Sequence, residues 1–360
     1  MQNKVVLAKR IYIKAAWQFY DDQGENVDPR IFGLLNSIHE SGKLTKAAEK
    51  LEISYRHVWN MLKKWTDFFG SDLVELHKGK GAKLTPLGEK LLWAEQLVNA
   101  RFEPQLISLA SELNLEIKKN ISFKEPLLKI AASHGYAVAL LPEFTNKFKL
   151  NLQYKSTQES LHALSKGECD IAAFHLPTDI VNQSLIDMHN KYFKPNTYKV
   201  IRFVTRQQGL MLKKGNPKGI KNIQDLLRDD IKFINRQADS GTRLLIEEIF
   251  RRASVDTQQI AGFDDVEYTH SAIAAYIASN MADAGIGVET AAQKFGLHFI
   301  PLTTENYVLV CHRKSVKKFA VQQLIAEIKT EKFQQAVLKL PGYHPVCCGD
   351  IIDLEEILPW

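Results

Sequence analysis

Apolar residues recur every three or four positions in the first third of the chain, which is the spacing of amphipathic helices. A first helix is predicted to open at Asp28-Pro29, because aspartate caps helices and proline fits the first helical position, and to end near Ser41-Gly42. Ahead of it, residues 4–20 are rich in β-branched and aromatic side chains, and the turn formers of residues 21–24 follow. They predict a short strand or hairpin.

Two further helices are predicted with a tight turn between them. Residues 43–51 form a short helix with Thr45 as its cap, and Ser54 caps a second helix over residues 55–65. The inward face of the second helix is formed by Val58, Met61, Leu62 and Trp65. Two short helices joined by so few residues predict a helix-turn-helix.

The residues that follow the helix-turn-helix predict a wing. Residues 72–77 form a strand, residues 78–83 a basic loop containing glycine, and Leu84-Thr85 a returning strand. Nine Lys or Arg stand against five acids between residues 43 and 83. A solvated helix face is the alternative explanation, but these charges fall on the helix and wing that such a motif presents to DNA. The candidate DNA-contacting residues are Thr45, Ser54, Tyr55, Arg56, His57, Asn60, Lys63, Lys64, Lys78, Lys80 and Lys83.

A long helical segment is predicted from Thr85-Pro86 to about Leu113. Its apolar seam is Leu87, Leu91, Ala94, Val98, Phe102, Leu106, Leu109 and Leu113. This spacing favours pairing with a second copy, although the helix could instead pack on its own domain. Pro104 predicts either a kink near residues 100–103 or an end to the helix there. We expect a homodimer, with a tetramer as the alternative, because dimers present two recognition helices to adjacent half-sites.

The remaining two thirds of the chain alternate between strand and helix patterns. The predicted strands cover residues 127–132, 150–154, 170–175, 231–235 and 283–286. Helices are predicted from residue 136 and over residues 158–164, 243–253 and 290–294. This alternation predicts a mainly parallel sheet in two α/β lobes. Residues 200–212 are expected to cross between the lobes and residues 307–311 to return.

Small polar residues stand at several predicted strand-to-helix junctions. A helix N-terminus favours a bound anion, although Ser and Thr at these positions are also ordinary caps. Several junctions in one α/β region favour a shared cleft for an anionic or polar ligand. The candidate ligand-binding residues are Ser133, His134, Ser160, His175, Arg206, Ser240, Gly241, Thr242, Arg243, Thr269 and His270.

The composition narrows the function classes. Hydrophobic residues make up 45% and charged residues 24%, which excludes a disordered chain, and the net charge of +6 permits an anionic partner. The 4 cysteines form no C-x-x-C pair. Basic residues interrupt the first apolar stretch, and no run of about 18 apolar residues follows. These features predict a cytoplasmic protein without a membrane partner.

Catalytic patterns are weak. The sequence has no Gly-x-Ser-x-Gly elbow and no phosphate loop, and Gly285-Ile286-Gly287 lacks the third glycine of a dinucleotide fingerprint. The 11 histidines form no H-E-x-x-H pair. We therefore predict a protein that is not an enzyme, with no metal and no covalent or protein-ligated cofactor. An enzyme with a DNA-binding appendage and a ligand-independent DNA-binding protein remain the alternatives.

Residues 28–93 resemble the winged N-terminal domain of molybdate-responsive and LysR-type transcription regulators. The matching stretches are Gly-Lys-Leu-Thr-Lys-Ala-Ala-Glu-Lys-Leu, Ile-Ser-Tyr-Arg-His-Val-Trp-Asn-Met-Leu and Lys-Leu-Thr-Pro-Leu-Gly-Glu-Lys-Leu-Leu. By this resemblance Tyr55, Arg56, His57 and Asn60 enter the major groove. The same resemblance implies that Lys78, Lys80 and Lys83 contact the DNA backbone or minor groove.

Residues from about 124 to 345 resemble a periplasmic-binding-protein-like domain related to molybdate-binding proteins. The matching stretches include Ala-Ser-His-Gly-Tyr-Ala-Val-Ala-Leu-Leu and Ile-Asn-Arg-Gln-Ala-Asp-Ser-Gly-Thr-Arg. The resemblance implies a ligand between two lobes, at Ser133, Ser160, Ser240, Thr242 and Thr269. Because His134, Arg243 and His270 stand beside these donors, an organic anion is as credible an effector as molybdate or tungstate.

Together these observations predict a mainly α/β chain in three parts. Residues 1–85 form a winged helix-turn-helix, residues 86–120 a linker and dimerisation helix, and residues 121–360 a two-lobed type II periplasmic-binding-protein-like domain. The expected function is transcription regulation through double-stranded DNA, controlled by a small anionic effector in the interlobe cleft.

Overall fold

The computed structural model describes residues 10–77, 81–121, 125–145, 147–178, 183–238 and 240–358. These residues form two compact units. The smaller unit is Lys14–Ala100, and the larger contains the described residues up to Ile13 and those from Arg101 onward. The finer division at residues 85 and 120 stays a prediction. No helix in the described ranges is long and apolar enough to cross a bilayer.

The smaller unit begins with a two-residue hairpin. Strand β1 (Phe19–Tyr20) pairs antiparallel with β2 (Asn26–Val27) around the predicted turn. The prediction of strand structure over residues 4–20 is wrong for residues 10–18, which form no strand; residues 4–9 lie outside the described ranges. β-Propensity without a partner strand gives no ladder, so β-branched composition alone was insufficient.

Three helices follow and enclose one apolar core. They are α1 (Arg30–Ser41), α2 (Leu44–Lys50) and α3 (Tyr55–Phe69). Helix α1 starts one residue later than predicted and ends where Gly42 adopts a left-handed φ of 65°. Helix α3 places the four predicted inward residues in the core, with Trp65 fully buried. It extends four residues further than predicted.

The two predicted caps of this motif have different outcomes. The Oγ of Ser54 accepts a hydrogen bond from the backbone N–H of His57 and caps α3, as predicted. Thr45 is not a cap, because α2 already begins at Leu44 and its N-cap is Lys43. Leu44 is 6% exposed, so burial of this side chain draws the helix start ahead of the threonine.

The wing is present as an antiparallel pair. Strand β3 (Val74–His77) pairs with β4 (Gly81–Leu84), with Val74 opposite Leu84. Lys83 therefore lies in a strand and not in the predicted loop. Lys78 and Lys80, which were predicted to contact DNA, lie outside the described residues.

Helix α4 (Pro86–Ile121) is 36 residues long and is not interrupted at Pro104. The alternative in which the helix ends near residues 100–103 is therefore wrong. The Oγ1 of Thr85 accepts from the N–H of Gly88 and caps this helix, and Pro86 occupies its first position.

The larger unit contains a ten-stranded mixed sheet. Its strands are β5 (Leu127–Ala132), β6 (Lys149–Tyr154), β7 (Ile171–Pro177), β8 (Tyr198–Leu212), β9 (Phe233–Arg236), β10 (Val266–Glu267), β11 (Ala284–Val288), β12 (His298–His312), β13 (Tyr343–His344) and β14 (Ile351–Asp353). The order is β10-β9-β11-β8-β12-β7-β5-β6, and β13 and β14 also pair with β8.

Strand direction corrects the prediction of a mainly parallel sheet. The three outer strands at each end run parallel to one another, whereas β8 and β12 pair antiparallel with each other and with their neighbours. These two strands have 15 residues each and contain the predicted crossings at residues 200–212 and 307–311. Two long antiparallel strands thus join the lobes in the centre of the sheet.

Eight helices cover the sheet in the described part of this unit. They are α5 (Tyr136–Phe144), α6 (Thr157–Ser165), α7 (Gln183–Asn190), α8 (Gly241–Arg252), α9 (His270–Ala278), α10 (Glu289–Lys294), α11 (Phe319–Ile328) and α12 (Glu331–Leu338). One lobe has its core around β5, α5 and α11, and the other has its core around β9, α8 and β11.

The C-terminal half of α4 packs along β6, the outer strand of the first lobe. The Oγ of Ser108 accepts from the N–H of Tyr154 at 2.9 Å, and the Oγ of Ser111 accepts from the N–H of Leu152 at 2.9 Å. The Oγ of Ser111 in turn donates to the carbonyl of Leu150. Serine side chains of a helix therefore occupy the hydrogen-bonding edge of the sheet.

Candidate ligand cleft and nucleic-acid interface

A cavity of about 250 Å³ lies in the larger unit where several helices begin. The starts of α6, α8 and α9 contribute to its wall, and so does the turn that precedes α5. Nine of the predicted ligand-binding residues line it. They are Ser133, His134, His175, Arg206, Ser240, Gly241, Thr242, Thr269 and His270.

The serine and threonine at these helix starts act as caps. The Oγ of Ser240 accepts from the N–H of Arg243 at 3.1 Å and donates to the carbonyl of Gln237. The Oγ1 of Thr269 accepts from the N–H of Ala272 at 2.9 Å. The capping hydroxyls are thus engaged, but the N–H groups of the first two helical residues have no acceptor within an α-helix. Those backbone donors, aided by the helix dipoles, can hold an anion.

Three neutral imidazoles lie in the wall. Burial, together with the charges of Arg236 and Arg206, lowers the pKa of His134 to about 3. Burial is also the main cause that lowers the pKa values of His175 and His270 well below the usual range. At neutral pH these side chains are therefore hydrogen-bonding groups without charge.

Two of these imidazoles have a nitrogen that no protein group satisfies. Within the described ranges, Nδ1 of His270 and Nε2 of His175 are buried without a hydrogen-bond partner, and so is the hydroxyl of Tyr154. A buried acceptor without a donor costs less than a buried N–H without an acceptor, so the proton of His270 is expected on Nε2. The other nitrogen of His175 lies 3.1 Å from the Oγ of Ser133.

Two arginines contribute guanidinium groups to the wall of the cavity. Arg206 is 1% exposed, and its Nε and Nη2 lie 2.8 and 2.7 Å from Oε2 of Glu305. Gln208 donates to the same oxygen at 2.9 Å. Arg236 is 8% exposed and donates from Nη2 to the carbonyl of Tyr268. Both guanidinium groups are thus held in place by the protein before any ligand binds.

Ser160 and Arg243, which were predicted to bind ligand, do not line the cavity. Ser160 is the fourth residue of α6 and is fully buried, because one turn into the helix this face points to the core. The guanidinium of Arg243 lies over the ring of Phe263 and forms an ion pair with Glu247. Both predictions rested on proximity in sequence to a helix start, which does not fix the helical face.

Sequence reasoning missed several residues of the wall. Arg236 stands in the stretch Ile-Asn-Arg-Gln, and its place at the end of a predicted strand was a usable signal. Arg101, Pro104 and Gln105 come from α4 and also line the cavity. Nothing near them in the sequence indicated a ligand site, because their contacts join positions far apart in the chain.

The smaller unit presents the first half of α3 to solvent. Arg56, Asn60 and Lys63 are exposed, as predicted. Tyr55 and Trp59 are 48% and 41% exposed and pack edge to face with ring centroids 6.2 Å apart. The prediction omitted Trp59, although its position one turn after Tyr55 placed both rings on the same face.

Two other predicted DNA-contacting residues, His57 and Lys64, have polar partners within this unit. Nε2 of His57 lies 3.2 Å from Nη2 of Arg30, and Nζ of Lys64 lies 2.8 Å from a carboxylate oxygen of Glu25. Thr45 is exposed on α2. Lys83 is exposed and stands opposite Glu75 in the wing.

These features define a two-part protein with a helix-turn-helix unit and a two-lobed unit that encloses a ligand cleft. The chain belongs to the PBP superfamily, whose domain matches residues 139–329, and residues 30–89 match the bacterial regulatory helix-turn-helix proteins of the lysR family. The N-terminal domain is thus of LysR type and the C-terminal domain is periplasmic-binding-protein-like, as the sequence predicted.

The chain is also similar to individual proteins. The chain is 33% identical over 204 residues to the uncharacterized protein YvgK of Bacillus subtilis, covering 56% of this chain and 64% of that protein. It is 27% identical over 222 residues to the HTH-type transcriptional activator CmpR of Synechocystis sp., covering 61% and 66%. The chain thus spans just under two thirds of each relative.

Among solved structures, a cysteine-to-serine mutant of Corynebacterium glutamicum OxyR with bound H2O2 aligns with a TM-score of 0.45 and 15% identity. The alignment covers 86% of this chain and 93% of that one.

Proposed function

We propose that this protein is a sequence-specific DNA-binding transcription regulator whose activity is controlled by a small anion in the cleft. The observation that carries the proposal is the convergence of helix starts, neutral imidazoles and two buried arginines on one cavity. Backbone N–H groups and fixed guanidinium groups favour an oxyanion, carboxylate or phosphate. Molybdate and tungstate stay within this class of effectors.

The DNA-binding half of the proposal is supported by α3 and the wing. Arg56 and Asn60 are exposed on the same face as the aromatic pair Tyr55 and Trp59. Arginine and asparagine are suited to reading guanine and adenine edges in the major groove. The lysines of this unit would contact phosphates, which position the protein without specifying sequence.

Homodimerisation through α4 is part of the same proposal. Leu87 and Leu91 pack against the core of the smaller unit, so the N-terminal part of the predicted seam serves its own domain. Further along, Phe102, Leu109 and Leu113 are 46%, 51% and 41% exposed. Their spacing of seven and four residues is that of a helix-pairing face.

Two experiments test the two halves of the proposal. Footprinting with the full chain should give a discrete protected site that survives increasing salt; binding to all DNA alike, with a uniform salt dependence, would exclude sequence-specific regulation. A thermal-shift screen with molybdate, tungstate, sulfate and small carboxylates should raise the melting temperature for at least one anion. If no anion does so, and Arg236→Gln and wild type behave alike, the cleft is not an anion site.

A further inference from the structure

We infer that α4 provides an outer subsite in the cleft, so that the effector is an extended organic anion with a second anionic group and not a compact oxyanion. This inference rests on the proposed function, because it names the ligand class of the same cleft. Its basis is that Arg101, Pro104 and Gln105 of α4 line the same cavity as the histidines.

The cavity has a floor and a mouth that differ in exposure. Arg206 is 1% exposed and lies at the floor, whereas the Arg101 side chain is 43% exposed at the mouth. Arg101 is therefore a separate positive group at the exposed part of the wall.

The size of the cavity fits a ligand that reaches both regions. The cavity of about 250 Å³ exceeds the space that one tetrahedral oxyanion fills. An anionic group at the floor therefore leaves room for a chain and a second polar group towards α4.

The charged groups of the mouth are suited to a second anionic group. Arg101 forms a bidentate ion pair with Glu267, with Nε–Oε2 and Nη2–Oε1 distances of 2.9 and 2.5 Å. Glu267 is 1% exposed, so it holds the Arg101 guanidinium from the buried side. Lys155 adds a second cation to the wall, and Glu159 is the only acid among the described residues that line it. The N–H groups that Arg101 does not use for Glu267 can donate to a carboxylate or phosphate.

The test compares compact and two-ended anions on the full chain. The probes are sulfate, the monocarboxylate butyrate, and the dicarboxylates succinate and glutarate, with affinities measured by calorimetry. We expect at least one dicarboxylate to bind tenfold or more tightly than butyrate. If sulfate binds and neither dicarboxylate exceeds butyrate, the outer subsite is refuted while the anion cleft stands. If the wild-type protein binds none of these probes, the outer subsite is refuted, and if it also responds to no anion in the thermal-shift screen, the proposed anion cleft fails as well.

The deciding variant is the double substitution Arg101→Gln/Glu267→Gln, which removes one positive and one negative charge and leaves the net charge of the cleft unchanged. We expect it to weaken dicarboxylate binding about tenfold and to leave the sulfate affinity within about twofold, since one lost charged hydrogen bond is worth roughly that factor. Equal losses for both probes, or no loss for either, would overturn the inference.

Two further variants keep the test independent of folding. Arg101→Lys retains the charge and the partner of Glu267 but loses the forked geometry, so an intermediate dicarboxylate affinity is expected. The matched control is Arg228→Gln/Asp230→Asn, an exposed ion pair of 3.0 Å whose residues do not line this cavity. It should leave every affinity unchanged.

Discussion

Arg206 and Glu305 stand directly opposite each other on the two long antiparallel strands that join the lobes, and both side chains are 1% exposed. Because their charges are buried together, each depends on the other for compensation. The pair lies beneath the cleft at the junction of the lobes. It therefore links the stability of the sheet to the electrostatics of the ligand site.

Breaking this pair should destabilise the protein strongly. Arg206→Met leaves the Glu305 carboxylate buried without its partner, and we expect the free energy of unfolding to fall by about 3–5 kcal/mol. The double variant Arg206→Met/Glu305→Gln leaves no buried charge and should cost less than the single change. Urea denaturation measures both; a single variant as stable as the double would contradict this account.

The cleft histidines predict a loss of stability in mild acid. His134 has a pKa of about 3 in the folded protein, against about 6.5 in the unfolded chain. The unfolded state therefore binds the proton first, and stability falls as the pH drops from about 6.5 towards 3. At pH 5 this side chain alone should cost about 2 kcal/mol. Urea titrations of wild type and His134→Gln at pH 7 and pH 5 should show a smaller pH effect in the variant.

Anion binding should make protonation of the cleft histidines more favourable, whereas the empty cleft disfavours it. A bound dianion raises the pKa values of His134, His175 and His270, so the complex takes up protons that the empty cleft excludes. Sulfate affinity should be constant from pH 8 to 6.5 and then tighten about threefold or more by pH 5. Calorimetry in buffers of different ionisation enthalpy detects the proton uptake directly. An affinity that weakens in acid would be inconsistent with these pKa directions.

Substitutions in α3 should distinguish residues that set sequence specificity from residues that set general affinity for DNA. Asn60→Ala is expected to cost about 1–3 kcal/mol at the cognate site and little on other DNA. Lys63→Ala should weaken binding to all sequences and reduce the salt slope by about one. Lys166→Ala, an exposed lysine of the larger unit, is the matched charge control. Gel-shift titrations on cognate and scrambled duplexes at several salt concentrations distinguish these outcomes.

The exposed apolar residues of α4 should control the oligomeric state. Leu109→Glu/Leu113→Glu places charges on the proposed pairing face, and we expect a shift from dimer to monomer at micromolar concentration. Glu112 is exposed on the same helix, so Glu112→Gln serves as the control. Analytical ultracentrifugation measures the change. A dimer that persists in the double variant would place the interface elsewhere.

Local patterns predicted most of the secondary structure. The strands at β5, β6 and β7 and the start of α3 at Ser54 follow from apolar runs and capping chemistry, which act between near neighbours. The cap prediction at Thr45 was wrong because the burial of Leu44, a tertiary effect, determines where α2 begins.

The cleft was predictable only in part for the same reason. Helix starts marked Ser240 and Thr269 as members of the wall, since chemistry and position coincide there. The ion pair between Arg101 and Glu267 joins positions 166 residues apart. A contact of that kind depends on how α4 packs against the sheet, which no local pattern encodes. Strand direction was likewise set by the two long crossing strands and not by the alternation of strand and helix.

The serine hydroxyls of α4 that bond to β6 have a consequence for solubility. An outer strand with free N–H and carbonyl groups can recruit strands from other molecules and seed aggregates. Ser111 binds the N–H of Leu152 and Ser108 binds the N–H of Tyr154, so these positions at the border of the sheet are closed to strand exchange. A fragment that begins after residue 121 would lose this protection, so the larger unit produced on its own should retain α4 to remain monodisperse.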